Sequence, residues 1–368
     1  MDSKRYSRQT ILPEIGENGQ EQLRKSRVLC VGVGGLGSPT SLYLAAAGVG
    51  TIGLIDPDQV DESNLQRQVL YKTFDQGKNK TDLAKQRLLE LNPTIEILSI
   101  SDSLNAQNAE MILSHYDLVI DGSDNFETKF LINDACYKIG IPFVYGAIQG
   151  FEGEVGIFDS RHDSCYRCLY PELPKAIIQN CDENGILGSI AGVIGSLQAT
   201  LALQYLVSKN SPGHPLEPAW GEITKFDFRG GLSSRKFRVH KSENCRICMN
   251  DPSEVQLLDG ILETPSIELQ TLIDWIENKE SDLLILDVRE ENEWKQGYLP
   301  HAHHWPLWKL EKGIVPEIIH HNQKIVAYCH SGARARIATD ILIRQGYQNT
   351  YQLNAGIARA LSAIQFLR

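Results

Sequence analysis

The sequence has 368 residues, a length typical of two domains, and its 42% of hydrophobic residues suffices for buried cores. The formal net charge of −10 argues against a general nucleic-acid-binding protein, because such proteins are usually basic. The polar, charged N-terminus has no apolar segment of the kind found in secretory signals. The apolar stretch 190–207 is interrupted by Ser196, Gln198 and Gln204, which favours a buried helix over a membrane span. We therefore expect a cytoplasmic protein with no nucleic-acid or membrane partner.

Short apolar runs alternate with helical patterns over the first 250 residues. Strands are predicted at 27–33, 51–56, 94–100, 117–123, 142–148 and 154–159, and helices at 36–47, 81–91 and 125–139. Strands that alternate with helices indicate βαβ units, so the predicted fold class is α/β with a mostly parallel sheet.

Residues 251–263 are mostly polar, lack periodicity and predict a linker. Beyond it the chain alternates again, with strands at 283–289, 324–329 and 350–354 and helices at 266–277, at 333–345 and at the C-terminal end. We therefore expect one domain at 1–250 and a second, smaller α/β domain at 264–368.

A glycine-rich loop follows the first predicted strand and precedes a helix. Gly32, Gly34, Gly35 and Gly37 lie in a G-x-G-x-x-G pattern, which lets the backbone approach a phosphate at a helix N-terminus. Asp56 ends the second strand, where its carboxylate can bind ribose hydroxyls. This pattern alone indicates a nucleotide, most often NAD(P).

Polar and cationic residues after the second strand change that interpretation. Asn64 and Arg67 lie in SNLQRQ, and Lys78 and Lys80 follow in GKNK. A dehydrogenase does not need cations here, whereas Arg and Lys neutralise the charge on the α-phosphate of a triphosphate and on departing pyrophosphate. A solvated basic surface is the alternative.

Asp124 follows another predicted strand, and ligands of open parallel sheets bind at the C-terminal ends of strands. An aspartate in this place can hold Mg²⁺ on phosphates or act on charge during attack. It could equally cap the helix that begins near Asn125.

The cysteines form a second pattern. Cys165-x-x-Cys168 and Cys245-x-x-Cys248 are two pairs with the spacing of a tetrahedral, structural zinc site, although two independent redox dithiols have the same spacing. Cys181 lies in a predicted loop, either as an acceptor thiol or as an incidental residue.

Cys329 ends an apolar strand and begins the loop CHSGAR, which precedes a helix. Backbone N–H groups of a tight loop, the helix N-terminus and Arg334 would together stabilise a thiolate or persulfide anion. A phosphatase loop with Cys-x₅-Arg spacing is the rival, but only four residues separate Cys329 from Arg334, which suits a sulfur atom better. A buried, inert cysteine is the remaining alternative.

These residues together resemble the ubiquitin-activating-type adenylyltransferases that act on sulfur-carrier proteins, including molybdopterin-synthase and thiamine-biosynthesis adenylyltransferases. The matching motifs are RYSRQ (5–9), GVGGLGSP (32–39), IDPDQVDESNLQRQ (55–68), GKNKTD (77–82), DGSDNFETK (121–129), CYRC (165–168), GVIGSLQA (192–199) and CRIC (245–248). The segment 264–368 resembles a single-domain rhodanese through LILDVREENEW (284–294), GYLPHAHHWP (297–306) and CHSGAR (329–334). The resemblance implies a Rossmann-like domain with a Cys₄ zinc site, followed by a rhodanese domain.

The resemblance also implies ligands and roles. ATP would bind at the glycine loop with Asp56, Asn64, Arg67 and Lys80, Asp124 would lie near Mg²⁺, and Zn²⁺ would occupy the cysteine site. Arg8 would reach into the neighbouring subunit of a homodimer. The C-terminal Gly-Gly carboxylate of a ubiquitin-like carrier would attack the α-phosphate to give an acyl-adenylate.

The sulfur step is implied in the same way. Cys329 would carry a persulfide, supplied by a donor such as a cysteine desulfurase, and attack the acyl-adenylate. Cys181 falls where relatives carry a loop cysteine and would resolve the acyl disulfide. Two other functions remain open at this stage: an NAD(P)-dependent reductase fused to a rhodanese, and a zinc-stapled scaffold that only docks carriers.

Overall fold

The computed structural model describes residues 4–171, 185–257, 265–278, 280, 282–320, 322–330 and 332–354. They separate into two compact units. The first unit comprises the described residues up to 257, and the second comprises those from 265 onwards. The predicted C-terminal helix lies outside the described residues.

The described strands of the first unit form one mixed sheet. They are β1 (Arg27–Val31), β2 (Thr51–Ile55), β3 (Glu96–Ile100), β4 (Leu118–Asp121), β5 (Phe143–Gln149), β6 (Glu152–Phe158), β7 (Glu222–Asp227) and β8 (Ser233–Arg238). Their order is β3–β2–β1–β4–β5–β6–β7–β8. The strands β1 to β5 pair in parallel, and β6 to β8 continue the sheet antiparallel. The predicted α/β class with a mostly parallel sheet is confirmed.

Helices cover both faces of this sheet. The described helices of this unit are α1 (Ser7–Thr10), α2 (Gly16–Lys25), α3 (Gly37–Ala47), α4 (Lys80–Leu91), α5 (Ala109–Leu113), α6 (Phe126–Ile139), α7 (Tyr166–Leu169) and α8 (Gly188–Ser208). Alternate residues of β1 enter different apolar clusters, because successive side chains of a strand point to opposite faces. Val28 packs in the cluster that contains α3 and α8, and Leu29 packs in the cluster that contains α5 and α6. The result is a three-layer α/β/α arrangement.

Helix α8 has the length and apolar composition of a membrane span, and half of its most apolar 18 residues are buried. Its buried side packs against α3, β5 and β6. Gln198 in the middle of this side is fully buried and donates a hydrogen bond to the carbonyl oxygen of Asp121 at 2.7 Å. These contacts make α8 a packed core helix, as predicted from its interrupted apolar run.

Strands β7 and β8 were not predicted from the sequence. Every residue of β8 is exposed, so its sequence SSRKFR has no alternation of buried and exposed positions to indicate a strand. The stretch 266–277 was predicted as one helix but begins with a two-residue strand, and its helix starts only at Leu269.

The second unit has a parallel sheet of its own. Its described strands are β9 (Ser266–Ile267), β10 (Leu283–Asp287), β11 (Ala302–His304), β12 (Lys324–Tyr328) and β13 (Thr350–Leu353), in the order β11–β10–β12–β13–β9. Its described helices are α9 (Leu269–Glu277), α10 (Glu291–Trp294), α11 (Leu307–Glu311) and α12 (Ala333–Arg344). Cys329 follows β12, the central strand of this sheet.

Candidate active sites and metal centre

The parallel register of the first sheet brings three loops together. Val31 at the end of β1 lies beside Ile55 of β2 and Asp121 of β4. The loops that follow these residues contain the glycine motif, Asp56 and the turn 121–125. We call these three segments the strand-end cluster.

Gly32 shows why the glycine loop needs glycine. Its φ of +85° belongs to the left-handed region, and a Cβ there would lie 2.8 Å from the carbonyl oxygen of Gly122. The backbones after β1 and β4 therefore approach more closely than any other residue type allows.

Asp56 braces the glycine loop from the neighbouring strand. Its side chain is buried and accepts hydrogen bonds from the backbone N–H groups of Val33, at 2.7 Å, and of Asp58, at 2.9 Å. Burial raises the pKa of the Asp56 carboxyl. Each carboxylate oxygen retains a further lone pair that can accept from a ligand hydroxyl.

Lys80 lies at the start of α4, only 4% exposed, with its Nζ 2.8 Å from Oδ2 of Asp58. A solvated basic surface therefore does not describe this cation. Lys78, two residues earlier, is exposed and pairs with Asp75 at 3.5 Å.

Arg67 lies against the glycine loop. Its Cγ is 3.6 Å from the position that a Cβ on Gly35 would take, and its guanidinium donates to the carbonyl oxygen of Ser63 at 3.0 Å. Asn64 helps to close the same segment, because its Oδ1 accepts from the backbone N–H of Asp61 at 3.3 Å.

The helix-cap interpretation of Asp124 is wrong. Helix α6 is capped by Asn125, whose side chain accepts from the N–H of Thr128 at 2.8 Å. Asp124 is exposed, and no hydrogen bond or ion pair involves its side chain within the described part of the chain. It is therefore available to a ligand at the strand-end cluster.

Sequence reasoning missed Lys129 of α6, which is buried and bonded to the carboxylate of Asp121 at 2.8 Å. Both residues stand in the DGSDNFETK motif, eight positions apart, and this acid–base pair was the available signal.

The four cysteines of the two Cys-x-x-Cys pairs come together in the first unit. Their Sγ atoms all lie within 4.8 Å of one another, with 3.5 Å between Cys165 and Cys245 and 3.4 Å between Cys168 and Cys248. Four sulfurs at about 2.3 Å from a central zinc ion would be about 3.8 Å apart, so the arrangement fits a tetrahedral site.

The pKa values of the four thiols shift in opposite directions, raised for Cys165 and Cys248 and lowered for Cys168 and Cys245. Hydrogen bonding with Cys165 lowers the pKa of the Cys168 thiol and lowers the pKa of the Cys245 thiol to about 6. The backbone N–H of Ser242 also points at Cys168 Sγ, at 3.4 Å.

Helix α6 holds the first cysteine pair in place. Asn133 accepts a hydrogen bond from the N–H of Tyr166 at 2.8 Å, and Asp134 binds the guanidinium of Arg167 through both of its oxygens. Tyr166 and Arg167 are the two residues between Cys165 and Cys168, so the Cys-x-x-Cys turn is fixed to the helix.

In the second unit, Cys329 is 1% exposed and lies at the base of a tight loop. The N–H of Gly332 points at its Sγ, at 3.1 Å, and Gly332 has a φ of +102° immediately before α12. The loop therefore directs one backbone donor at the sulfur, and α12 begins at the next residue.

Arg334 is held by a residue that the sequence analysis missed. Glu293 of α10 receives two hydrogen bonds from its guanidinium, at 2.6 and 2.7 Å. Arg334 was expected to add positive charge to the loop, but Glu293 offsets that charge. The backbone N–H groups of the loop therefore stabilise an anion on Cys329 more than Arg334 does. The available signal was an acidic residue in LILDVREENEW, the motif paired with CHSGAR.

Two predicted site residues are not joined to these sites. Arg8 is exposed on α1, and within the described ranges no hydrogen bond or ion pair links it to the strand-end cluster. Cys181 lies outside the described residues, so its role as a resolving thiol stays a prediction.

Comparison with known families assigns the two units. The ThiF family matches residues 6–247, and the rhodanese-like domain matches residues 268–362. The chain belongs to the ThiF family. Its second unit is a rhodanese-like domain, so the resemblance noted from the sequence motifs is confirmed.

Two relatives match nearly the whole chain, and a third matches about two thirds of it. The probable adenylyltransferase/sulfurtransferase MoeZ of Mycobacterium tuberculosis is 35% identical over 96% of this chain and 91% of its own length. The adenylyltransferase and sulfurtransferase MOCS3 of Drosophila grimshawi is 35% identical over 94% of this chain and 80% of its own length. The sulfur carrier protein adenylyltransferase of Thermus thermophilus is 42% identical over 69% of this chain and 94% of its own length. The chain is an adenylyltransferase and sulfurtransferase, as expected.

Solved structures agree on the fold of the first unit. Escherichia coli MccB in complex with MccA-N7isoASN matches 68% of this chain and 75% of its own, with a TM-score of 0.59 and 24% identity. A sequence identity of 24% supports a shared fold and carries no conclusion about function.

Proposed function

We propose that this chain uses ATP to adenylate the C-terminal Gly-Gly carboxylate of a ubiquitin-like sulfur-carrier protein and then converts the adenylate to a thiocarboxylate. The observation that carries the proposal is the strand-end cluster, where the glycine loop, Asp56 and the exposed Asp124 follow neighbouring strands. The buried cation Lys80 lies near this cluster, paired with Asp58 two residues after Asp56. The relative from Thermus thermophilus, named a sulfur carrier protein adenylyltransferase, supports the choice of substrate.

In the adenylation step, a carrier carboxylate oxygen bonds to the α-phosphorus and the bond to pyrophosphate breaks. Negative charge accumulates on the phosphates during this exchange, and cations placed there lower the barrier. Lys80, paired with Asp58, and Arg67, beside Gly35, would supply these cations, and N–H groups of the glycine loop would bind the same phosphates. Asp56 would accept hydrogen bonds from the nucleoside, and the side-chain amide of Asn64 would donate one to it.

Asp124 suits a divalent cation on the phosphates. Mg²⁺ binds through one or two carboxylates together with substrate phosphates, and Asp124 offers an exposed carboxylate at the strand end. The ion would supply charge neutralisation, while the protein fixes where the carboxylate stands.

The cysteine cluster fits Zn²⁺ in a structural role. Four sulfur donors complete a tetrahedral shell and leave no open position for catalysis. The ion would clip the segment around Cys165 to the segment around Cys245, which are 80 residues apart. Such thiolate sites persist in reducing compartments, which supports a cytoplasmic location.

Sulfur transfer uses the second unit. The terminal sulfur of a Cys329 persulfide bonds to the carbonyl carbon of the acyl-adenylate, and AMP leaves. A second thiol, for which Cys181 is the candidate, then attacks the Cys329 sulfur, forms a disulfide with it and releases the thiocarboxylate. An external thiol reduces that disulfide, and a cysteine desulfurase would reload Cys329.

We propose that the chain forms a homodimer, and the exposed apolar residues at the N-terminal end of α8 support this proposal. Leu187 and Val193 are 51% and 42% exposed at the N-terminal end of this apolar helix, and a second copy would cover them. In such a dimer Arg8 of one subunit would complete the nucleotide site of the other.

The proposal is tested by ATP–pyrophosphate exchange with purified candidate carriers, each intact and without its last two glycines. Exchange with one intact carrier, and none with its truncated form, is the expected result. An absence of exchange with every intact carrier, measured on folded and zinc-loaded protein, would show that the proposed substrate class is wrong.

A further inference from the structure

Lys129 has a buried ammonium group with a full set of partners. Its Nζ donates to Oδ2 of Asp121 at 2.8 Å, to the carbonyl oxygen of Ser123 at 2.9 Å and to the carbonyl oxygen of Gly146 at 2.8 Å. An ammonium has three N–H donors, so each is used. The residue is 5% exposed, so its ammonium group is enclosed by these partners and is not a direct substrate contact.

These bonds tie three separate elements to one point. Lys129 belongs to α6, Asp121 ends β4, Ser123 lies in the turn that follows, and Gly146 belongs to β5. A buried ion pair holds its geometry strongly, because removing either partner leaves an uncompensated charge away from water. The ammonium therefore fixes where the turn after β4 lies relative to β5.

The turn itself is closed by the same carboxylate. Asp121 uses its other oxygen, Oδ1, to accept from the N–H of Ser123 at 3.1 Å and from the Ser123 hydroxyl. Asp121 is fully buried, and its backbone carbonyl accepts from Gln198. Ser123 is thus held through its backbone carbonyl, its backbone N–H and its side chain.

Asp124 is the residue that this arrangement leaves exposed. Ser123 before it is bonded to Lys129 and Asp121, and Asn125 after it caps α6. Both neighbours of Asp124 are therefore anchored, while Asp124 itself is exposed.

We propose that Lys129 is a positioning residue that holds the Asp124 carboxylate in place for the nucleotide and its metal ion. The inference rests on the proposed adenylation function. Misplacement of a reacting group by about 1 Å can slow a reaction about 100-fold, which sets the size of effect to look for.

The test compares Lys129→Met, which removes the charge at similar length, with Lys129→Arg, which keeps it. ATP–pyrophosphate exchange gives kcat and the KM for ATP, and thermal unfolding reports folding. We expect Lys129→Met to lower kcat by about 10- to 100-fold, and Lys129→Arg to retain most of it. Lys138→Met is the matched control, since Lys138 lies on the same helix and pairs with Glu110 at the surface.

A double-mutant cycle separates positioning from general destabilisation. In an Asp124→Asn background, Lys129→Met should cause little further loss, because the carboxylate that it positions is already gone. An equal loss in both backgrounds would show that Lys129 does not act through Asp124, and the proposal would be wrong.

A further variant covers the case in which Lys129→Met does not fold. Asp121→Asn combined with Lys129→Met removes both buried charges, which proteins tolerate far better than a single unpaired one. A folded double variant with wild-type exchange would overturn the proposal, whereas reduced kcat in a folded protein supports it.

Failure of the proposed function is distinguishable from failure of this inference. If wild-type protein shows no exchange with any carrier, the adenylation proposal fails. The inference is then judged by calorimetric titration of ATP with and without Mg²⁺. Lys129→Met should lose the Mg²⁺-dependent part of the ATP affinity, and an unchanged Mg²⁺ dependence would reject the positioning role.

Discussion

Glu293 and Arg334 form a two-point ion pair that joins α10 to the first turn of α12, beside the loop of Cys329. Hydrogen bonds from Arg334 lower the pKa of Glu293 to about 2. Because both side chains are largely shielded from solvent, with 27% and 13% exposed, this pair should be worth more than a surface pair.

The pair makes a pH-dependent contribution to the stability of the second unit. A carboxyl with a depressed pKa stabilises the folded state fully above its unfolded value of 4.5 and loses that contribution as the pH falls to about 2. Glu293→Gln should therefore lower the free energy of unfolding by about 1–3 kcal/mol at pH 7, and the difference from wild type should vanish toward pH 2.

Tryptophan fluorescence during urea unfolding measures this difference, since every tryptophan except Trp220 lies in the second unit. Glu291→Gln is the control, because Glu291 is exposed and pairs with Lys295 at the surface of α10. A pH-independent difference for Glu293→Gln would contradict the ion-pair explanation.

Lys80→Met should abolish adenylation without unfolding the protein. Its partner Asp58 has a side chain that is 63% exposed, so losing the cation leaves a hydrated carboxylate and not a buried charge. We expect a fall of at least about 100-fold in pyrophosphate exchange and a nearly unchanged melting temperature. Lys85→Met, in the same helix, is the control. Equal exchange rates for the two variants would show that Lys80 is not part of the nucleotide site.

Gly32→Ala should destabilise the first unit and weaken ATP binding. The new Cβ would meet the carbonyl oxygen of Gly122 at 2.8 Å and would also occupy a positive-φ position. Gly77→Ala is the matched control, since its φ of +78° is similar but nothing lies within 4 Å of its Cβ. The first variant should lose about 1–3 kcal/mol more than the second in equilibrium unfolding. Equal losses would indicate that only the φ angle matters.

Loss of the zinc ion should lower the thermal stability of the protein. Purified protein should contain about one zinc per chain, and Cys168→Ser should lose it and melt at least about 5 °C lower. Cys329→Ser, in the other unit, should keep the zinc. Metal analysis by mass spectrometry decides the question, and a full zinc content in Cys168→Ser would exclude a four-cysteine site.

Cys329→Ser should separate the two activities. We expect wild-type pyrophosphate exchange, because the residue lies outside the unit that contains the strand-end cluster. Thiocarboxylate formation, followed by intact-mass measurement of the carrier, should fall below detection. Thiocarboxylate at the wild-type rate would show that another residue carries the sulfur.

The sequence predicted the parallel part of the first sheet because its buried strands are continuous apolar runs. β1, β2 and β4 are almost entirely buried, and such strands are recognisable without tertiary information. β8 gave no such signal, since all of its side chains are exposed and it is defined by pairing with β7.

Site residues with a fixed local spacing could also be predicted from the sequence, whereas those brought together by the fold could not. The cysteine pairs were found because their ligands follow a fixed local spacing. Glu293 was missed because its partner Arg334 is 41 residues away, and only the fold brings the two together. The choice between a ligand and a cap at Asp124 also needed the structure, because Asn125 is an equally good cap in sequence terms.

Two contacts of helix α6 restrict where residues can be inserted or deleted in this chain. Lys129 anchors the turn after β4 and Asn133 anchors the first cysteine pair, and the two lie four positions apart on one face of the helix. One inserted residue between them would rotate one anchor by about 100° and shift it by about 1.5 Å relative to the other. Substitutions that keep the helical face are compatible with both anchors, whereas insertions and deletions within this turn would break one of them. Homologous chains that keep both anchors should therefore show no length variation between these positions, even where the sequence varies.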